Sequence, residues 1–299
     1  MRNHKRHIAN LFLFPSQWGS WLTVAGLLAI STTLSHASWA QNKPVESLQG
    51  KTIGVTVSPA DGSYEIFDPA SSRSILHASV AVEVDHRWIK SNDYTKHSIQ
   101  SENATDDLGS RESLTVTNRG LSNKPDLTYS VHLHSSPDFV TITATVRNSG
   151  ARPITVEAIR GLEAGGAPVL DLEGSDASDR VLSDSFSEDR PGIVIHDLPD
   201  ATSGLHRAVG SQLIYNRETK RSLFVGALSS DKFLTVLRLH IAGGQVSKYE
   251  VDSTGTTELT VENSLEHSRP EDRIELSLPL APGAEISSER MLIDRKSVV

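Results

Sequence analysis

The thirty residues from Ser211 to His240, SQLIYNRETKRSLFVGALSSDKFLTVLRLH, decide the fold class. Side chains alternate between the two faces of a strand. On that rule the stretch contains strands over Leu213–Asn216, Ser222–Leu228 and Phe233–Leu239. A charged turn, Arg217-Glu218-Thr219-Lys220-Arg221, joins the first two. The second strand is apolar on both sides. Leu223, Val225 and Ala227 point one way, and Phe224, Gly226 and Leu228 the other. A strand of that kind lies inside a structure, covered above and below. The expectation is a three-stranded meander in a sheet packed against a second layer.

Outward from this stretch, period-two alternation continues in both directions. Ile53, Val55 and Val57 alternate with polar residues, and Tyr64–Phe67 follows a Pro59-Ala60-Asp61-Gly62 turn. Val80, Val82 and Val84 lead to Asp85-His86-Arg87-Trp88. Further strands are expected at Leu114 and Val116, Leu127–Leu133, Val140–Val146 and Ile154–Ala158. Towards the end they are expected at Thr256–Val261, Ile274–Leu280 and Ile286–Ile293. Residues 90–111 are polar and read as a long loop. Residues 161–210 read as an irregular excursion, with strands only at Val169–Leu172 and Ile193–Leu198. No segment keeps helical periodicity for three turns, and no fixed-period repeat occurs. The class this predicts is all-β: a large two-sheet antiparallel β-sandwich, or supersandwich, spanning residues 51–293.

The first forty residues have the layout of a secretory signal peptide. Lys5 and Arg6 precede the apolar core Trp21–Ile30, and Ser35-His36-Ala37 and Ser38-Trp39-Ala40 offer small residues for cleavage. The mature chain is expected to start near Gln41 with a polar leader, 41–50, and to be exported to the periplasm or the extracellular space. The alternative is an uncleaved N-terminal anchor. Loss of Arg2, Lys5 and Arg6, with no acidic residue, leaves 26 basic against 37 acidic residues, a net charge of −11. Such a chain is a poor polyanion binder, which argues against nucleic acid. After cleavage no membrane segment is expected. There is no cysteine, so disulfides and thiolate chemistry are excluded.

Motifs for chemistry are sparse. The sequence has no GxSxG, HExxH, glycine-rich phosphate loop or EF-hand pattern, and no cofactor is expected. His132 and His134 share one side of a strand and could share a metal, but no third ligand is evident. A solvent-facing pair is the simpler reading, and no metal site is assigned. The acidic run Asp184-Ser185-Phe186-Ser187-Glu188-Asp189-Arg190-Pro191 offers paired carboxylates for acid–base work on a sugar, but Ser/Asp-rich loops are more often solvated and cap their own backbone. Trp88, beside polar donors at a strand end, is the candidate carbohydrate contact, because an indole stacks on the CH face of a pyranose. A tryptophan tucked over a sheet end is the alternative. Asn103-Ala104-Thr105 matches the glycosylation sequon, which matters only in a eukaryotic secretory pathway.

Several stretches resemble the N-terminal β-supersandwich domain of α-galactosidases of glycoside hydrolase family 36. They are Tyr215-Asn216-Arg217-Glu218-Thr219 running into Arg221–Leu228, then Asp231-Lys232-Phe233-Leu234-Thr235. Val181-Leu182-Ser183-Asp184-Ser185 upstream and Gly283-Ala284-Glu285-Ile286-Ser287-Ser288-Glu289 downstream keep the family's order. The resemblance spans roughly residues 50–293 and implies a sandwich that packs on a (β/α)₈ barrel. In the family the barrel carries both catalytic aspartates, so no catalytic residue transfers to this chain. The finish Asp294-Arg295-Lys296-Ser297-Val298-Val299 matches one reading frame of a common sequencing adapter. Residues 294–299 are therefore expected to be non-native and poorly packed, with the true protein continuing past Ile293 into the missing catalytic barrel. Carbohydrate, specifically an α-galactoside, is the implied partner. A free-standing carbohydrate-binding module and a structural exported β-sandwich are the alternative functions.

Overall fold

The computed structural model describes residues 46–166, 168–184, 193–198, 204–255 and 277–297. In chain order the strands are β1 (Glu46–Gln49), β2 (Gly54–Val57), β3 (Tyr64–Asp68), β4 (Arg73–Val84), β5 (Arg87–Lys90), β6 (Lys96–Asp106) and β7 (Gly109–Arg119). Next come β8 (Asp126–Ser135), β9 (Asp138–Arg147), β10 (Ile154–Gly165), β11 (Asp179–Asp184), β12 (Ile193–Asp197), β13 (Gly204–Val209) and β14 (Ser211–Asn216). The last are β15 (Arg221–Ala227), β16 (Leu234–Ala242), β17 (Gln245–Thr254), β18 (Leu278–Leu280), β19 (Glu285–Ser287) and β20 (Met291–Ser297).

They form two antiparallel sheets, and the all-β sandwich expected from the alternation is what is found. One sheet runs β1-β2-β3-β4-β10-β17-β16-β13, with β5 beside β4 and β18 beside β10. The other runs β12-β11-β14-β15-β20-β9-β8-β7-β6, with β19 beside β9. A single core fills the space between them. Val80, Val82, Ile159, Leu162, Leu237 and Tyr249 face it from the first sheet, and Val116, Val131, Ile142, Ile214, Leu223 and Ile293 from the second. Tyr64 on β3 meets Tyr129 on β8 with ring centroids 5.9 Å apart. Their hydroxyls donate to the carbonyls of Gly161 (2.9 Å) and Gly62 (3.0 Å), so neither buried phenol is left unpaired.

The central stretch departs from the expected meander. β14 and β15 pair, but β16 lies in the opposite sheet. Two crossings bring this about. Gly210 alone separates β13 in the first sheet from β14 in the second, and its φ of +98° is open to glycine at little cost. The return from β15 to β16 is held by Glu289, only 5% exposed, which accepts from the amides of Lys232 (2.6 Å) and Phe233 (2.8 Å) and from the Ser229 hydroxyl. β15 is also not covered on both sides. Leu223 and Val225 are fully buried, while Phe224 is half-buried and Leu228 is 40% exposed.

Other boundaries move as well. The polar segment 90–111 is mostly strand rather than loop. β6 pairs with β7 in an unbroken register from Lys96↔Arg119 to Asp106↔Gly109. As an edge strand exposed along most of its length, β6 needs no apolar alternation, and its charges discourage edge-to-edge pairing. Within 161–210, β11 and β13 are additional strands, and Val169–Leu172 shrinks to a single bridge, Leu170 opposite Leu76.

The expected strands at Thr256–Val261 and over most of Ile274–Leu280 lie outside the described residues, apart from β18. Ile286–Ile293 is divided between β19 and β20 at Ser288-Glu289-Arg290. Asp294–Ser297, expected to be poorly packed, continue β20 against β15. Arg295 is buried, and its guanidinium reaches Asp68 (2.8 Å) and the Thr52 carbonyl (2.9 Å). Val298 and Val299 lie outside the described residues, as do the expected signal segment and the polar leader before β1. Among the described residues no helix is long and apolar enough to cross a membrane.

Candidate functional site

The densest array of functional groups lies on the first sheet, on the face turned away from the core. Alternation puts it there. On β17, Tyr249 and Val251 point into the core, so Lys248, Glu250 and Asp252 point outward. The register sets Glu250 opposite Glu163 of β10 and Arg238 of β16, with Arg160 opposite Asp252. An irregularity between Arg160 and Leu162 returns Glu163 to the same face as Arg160.

Trp88 enters from the side. Asp85 and His86, with φ of +50° and +60°, make the tight two-residue turn between β4 and β5. This folds β5 back so that Trp88 stands opposite Glu83. The Arg160 guanidinium lies over the indole, 3.7 Å from the ring centroid. One ring face of the candidate sugar contact is therefore occupied by a cation–π contact.

Arg160 is the hub. Its Nε and Nη2 donate to the two oxygens of Asp252 at 2.6 and 3.1 Å, and Nη1 donates to Glu163 Oε2 at 2.6 Å and to Glu250. Lys90 reaches Glu163 Oε1 and Lys248 reaches Glu250 Oε1, each at 2.5 Å. His240 Nε2 lies 2.9 Å from Glu250 Oε2, and Arg238 also binds Asp252. Burial pushes the carboxyls of Glu163 and Glu250 up. The hydrogen bonds and charges of Lys90, Arg160, Lys248 and His240 outweigh it, and both end below the usual glutamate range. Burial disfavours the Arg160 cation, but the three carboxylates hold it above its ordinary value. Carboxylates kept ionised in this way are poor proton donors. The arrangement is a closed, rigid charge network with an aromatic ring at its edge. The sequence hides it, because β17 does not stand out as a strand; the alternation Lys248-x-Glu250-x-Asp252 is its only local signal.

The other candidate residues are dispersed. His132 and His134 do share a face of β8, but His134 is fully buried rather than solvent-facing, stacked on Phe139 at 4.6 Å. Burial, with Arg111 next, lowers His132 to about 4. Among the described residues no group of three or more His, Cys, Asp or Glu side chains is placed to hold a metal. Asp184 ends β11, and residues 185–191 of the acidic run lie outside the described residues. Asn103 is exposed on β6.

Asp179 carries no signal in the sequence. Burial, with Asp176 and Asp171 nearby, pushes its carboxyl up to about 6 despite a 2.7 Å hydrogen bond from Asn216 Nδ2. The folded value exceeds the unfolded value of about 3.9, so the folded chain holds a proton that the unfolded chain releases. The associated stability is full below about pH 4 and is lost as pH rises through about 6. Asp179→Asn keeps an acceptor for Asn216. It is expected to stabilise the protein at pH 7 by about 1–3 kcal/mol and to leave it unchanged near pH 4. Urea unfolding of both proteins at the two pH values checks this.

No protein-family model matches the chain, and no curated protein matches it. Solved structures do. An α-galactosidase from Lactobacillus brevis is similar at 11% identity with a TM-score of 0.51, covering 86% of this chain and 40% of that one. A GH36 α-galactosidase from Geobacillus stearothermophilus, in complex with stachyose, is similar at 9% identity and a TM-score of 0.52, covering 85% and 41%. A galactose mutarotase-like protein from Clostridium acetobutylicum is similar at 10% identity and a TM-score of 0.51, covering 84% and 95%. The chain thus spans less than half of each α-galactosidase and nearly all of the mutarotase-like protein. What it has in common with them is the fold, a large two-sheet β-sandwich.

Proposed function

We propose that this chain is the non-catalytic sandwich domain of an exported α-galactosidase-like glycoside hydrolase, supporting a (β/α)₈ barrel that carries the catalytic carboxylates. The observation that carries this reading is the coverage: most of this chain matches less than half of an α-galactosidase. The closed network around Arg160 supports it, since its carboxylates are committed to partners and none is set up as an acid. Hydrolysis by such an enzyme needs two free carboxylates flanking the scissile bond.

The near-complete coverage of the mutarotase-like protein favours a second reading, a free-standing carbohydrate-binding module with Trp88 as the contact. Fluorescence separates the two. The chain from Gln41 onward has one tryptophan, Trp88. Under the first reading, melibiose raised to about 50 mM, well above a weak Kd of about 1 mM, leaves its emission unchanged. A saturable change would overturn that reading in favour of the second.

A further inference from the structure

A cleft of about 440 Å³ opens between β1 and the β6–β7 hairpin, and none of its lining residues belongs to β5 or to the Arg160 network. Its size is that of a small-ligand site. Seven polar residues line it: Gln49, Asn103, Thr105, Ser110, Arg111, Glu112 and Ser135. The register explains their convergence. Asn103, Glu112 and Leu133 form one row across β6, β7 and β8, and Thr105 and Ser110 are paired in the hairpin beyond it. Leu133, buried in the core, closes the floor of the cleft. Apart from Arg111, these polar residues are solvent-exposed, and their side chains make no hydrogen bond or ion pair with another described residue.

We propose that this cleft binds a neutral saccharide through vicinal hydroxyls. The amides of Gln49 and Asn103 and the carboxylate of Glu112 each present two adjacent polar atoms, which suits paired hydroxyls on a sugar ring. An anion is disfavoured, because the guanidinium of Arg111 is engaged by Asp106, Ser113 and His132. A metal is disfavoured because Glu112 is a single carboxylate, and metal sites need several ligands. The inference extends the carbohydrate reading to a second place on the molecule and rests on it for the choice of probe.

The test is an amide-resolved NMR titration of the full chain with melibiose, with Asn103→Ala/Glu112→Gln as the variant. Saturable shifts are expected at Asn103, Glu112 and Ser135, with affinity at least about tenfold weaker in the variant, as for loss of one good hydrogen-bonding group. Trp88→Ala leaves these shifts in place, which separates this site from the Trp88 face. Ser135→Trp, which fills the cleft while keeping both groups, is expected to abolish them. No saturable shift at these residues, or shifts of unaltered affinity in both cleft variants, would overturn the proposal.

Discussion

Arg160→Met is expected to destabilise the protein by about 3–5 kcal/mol, the cost of removing one partner from a buried charge network. The change takes away the shared donor of Asp252, Glu163 and Glu250 and leaves carboxylates on a face where they have little access to water. Lys90, Lys248 and Arg238 compensate in part, because each reaches only one or two of the three. Arg160→Lys is not expected to rescue it. An ammonium cannot make the parallel pair of bonds to Asp252 while also reaching the two glutamates. Both variants lose the guanidinium over Trp88, so its emission should change as well. Equilibrium denaturation in urea measures the loss, and a change under about 1 kcal/mol would mean the network is solvated like a surface ion pair.

Glu289→Gln should cost about 2–4 kcal/mol at pH 7, because hydrogen bonds to a buried charged group are the stronger kind. The carboxylate joins the loop between β15 and β16 to the turn before β20. A glutamine keeps one acceptor oxygen for the two amides but loses the negative charge, and its NH₂ would oblige the Ser229 hydroxyl to accept instead of donate. Burial pushes the Glu289 carboxyl up, but the Ser229 hydroxyl and the amides of Lys232 and Phe233 bring it below the ordinary glutamate value. Its contribution is therefore present above the unfolded value of about 4.3 and is lost as pH falls through the lower folded value. The gap between wild type and variant should narrow in acid. Unfolding curves at pH 7 and pH 3 test this, and a gap that stays constant would rule out the assigned role.

Fold class is legible in the sequence because it depends on a local property. Val80, Val82 and Val84, or Val140, Ile142 and Ala144, alternate because one face of the strand is buried. Sheet membership is not legible. Alternation in Phe233–Leu239 reads the same whether β16 pairs with β15 or crosses to the opposite sheet, and the crossing depends on Gly210 and on Glu289, some sixty residues further on. β6 is hidden because both of its faces are polar, and β17 because its outward residues are charged. The candidate site is hidden with β17. Trp88 stands out by residue type alone, whereas its contact with Arg160 joins β5 to β10 and leaves no mark in either segment. Asp179 looks like any aspartate at a strand start; its raised carboxyl comes from burial and from Asp176 and Asp171 in the packed loop.

The domain role turns on the reading frame in independently obtained genomic DNA, sequenced past the codon for Ile293. The frame is expected to continue into several hundred residues of alternating β/α pattern, as a (β/α)₈ barrel requires, with two aspartates at strand ends to supply the paired carboxylates of hydrolysis. A native stop codon directly after Val299 would refute the role and leave a free-standing sandwich.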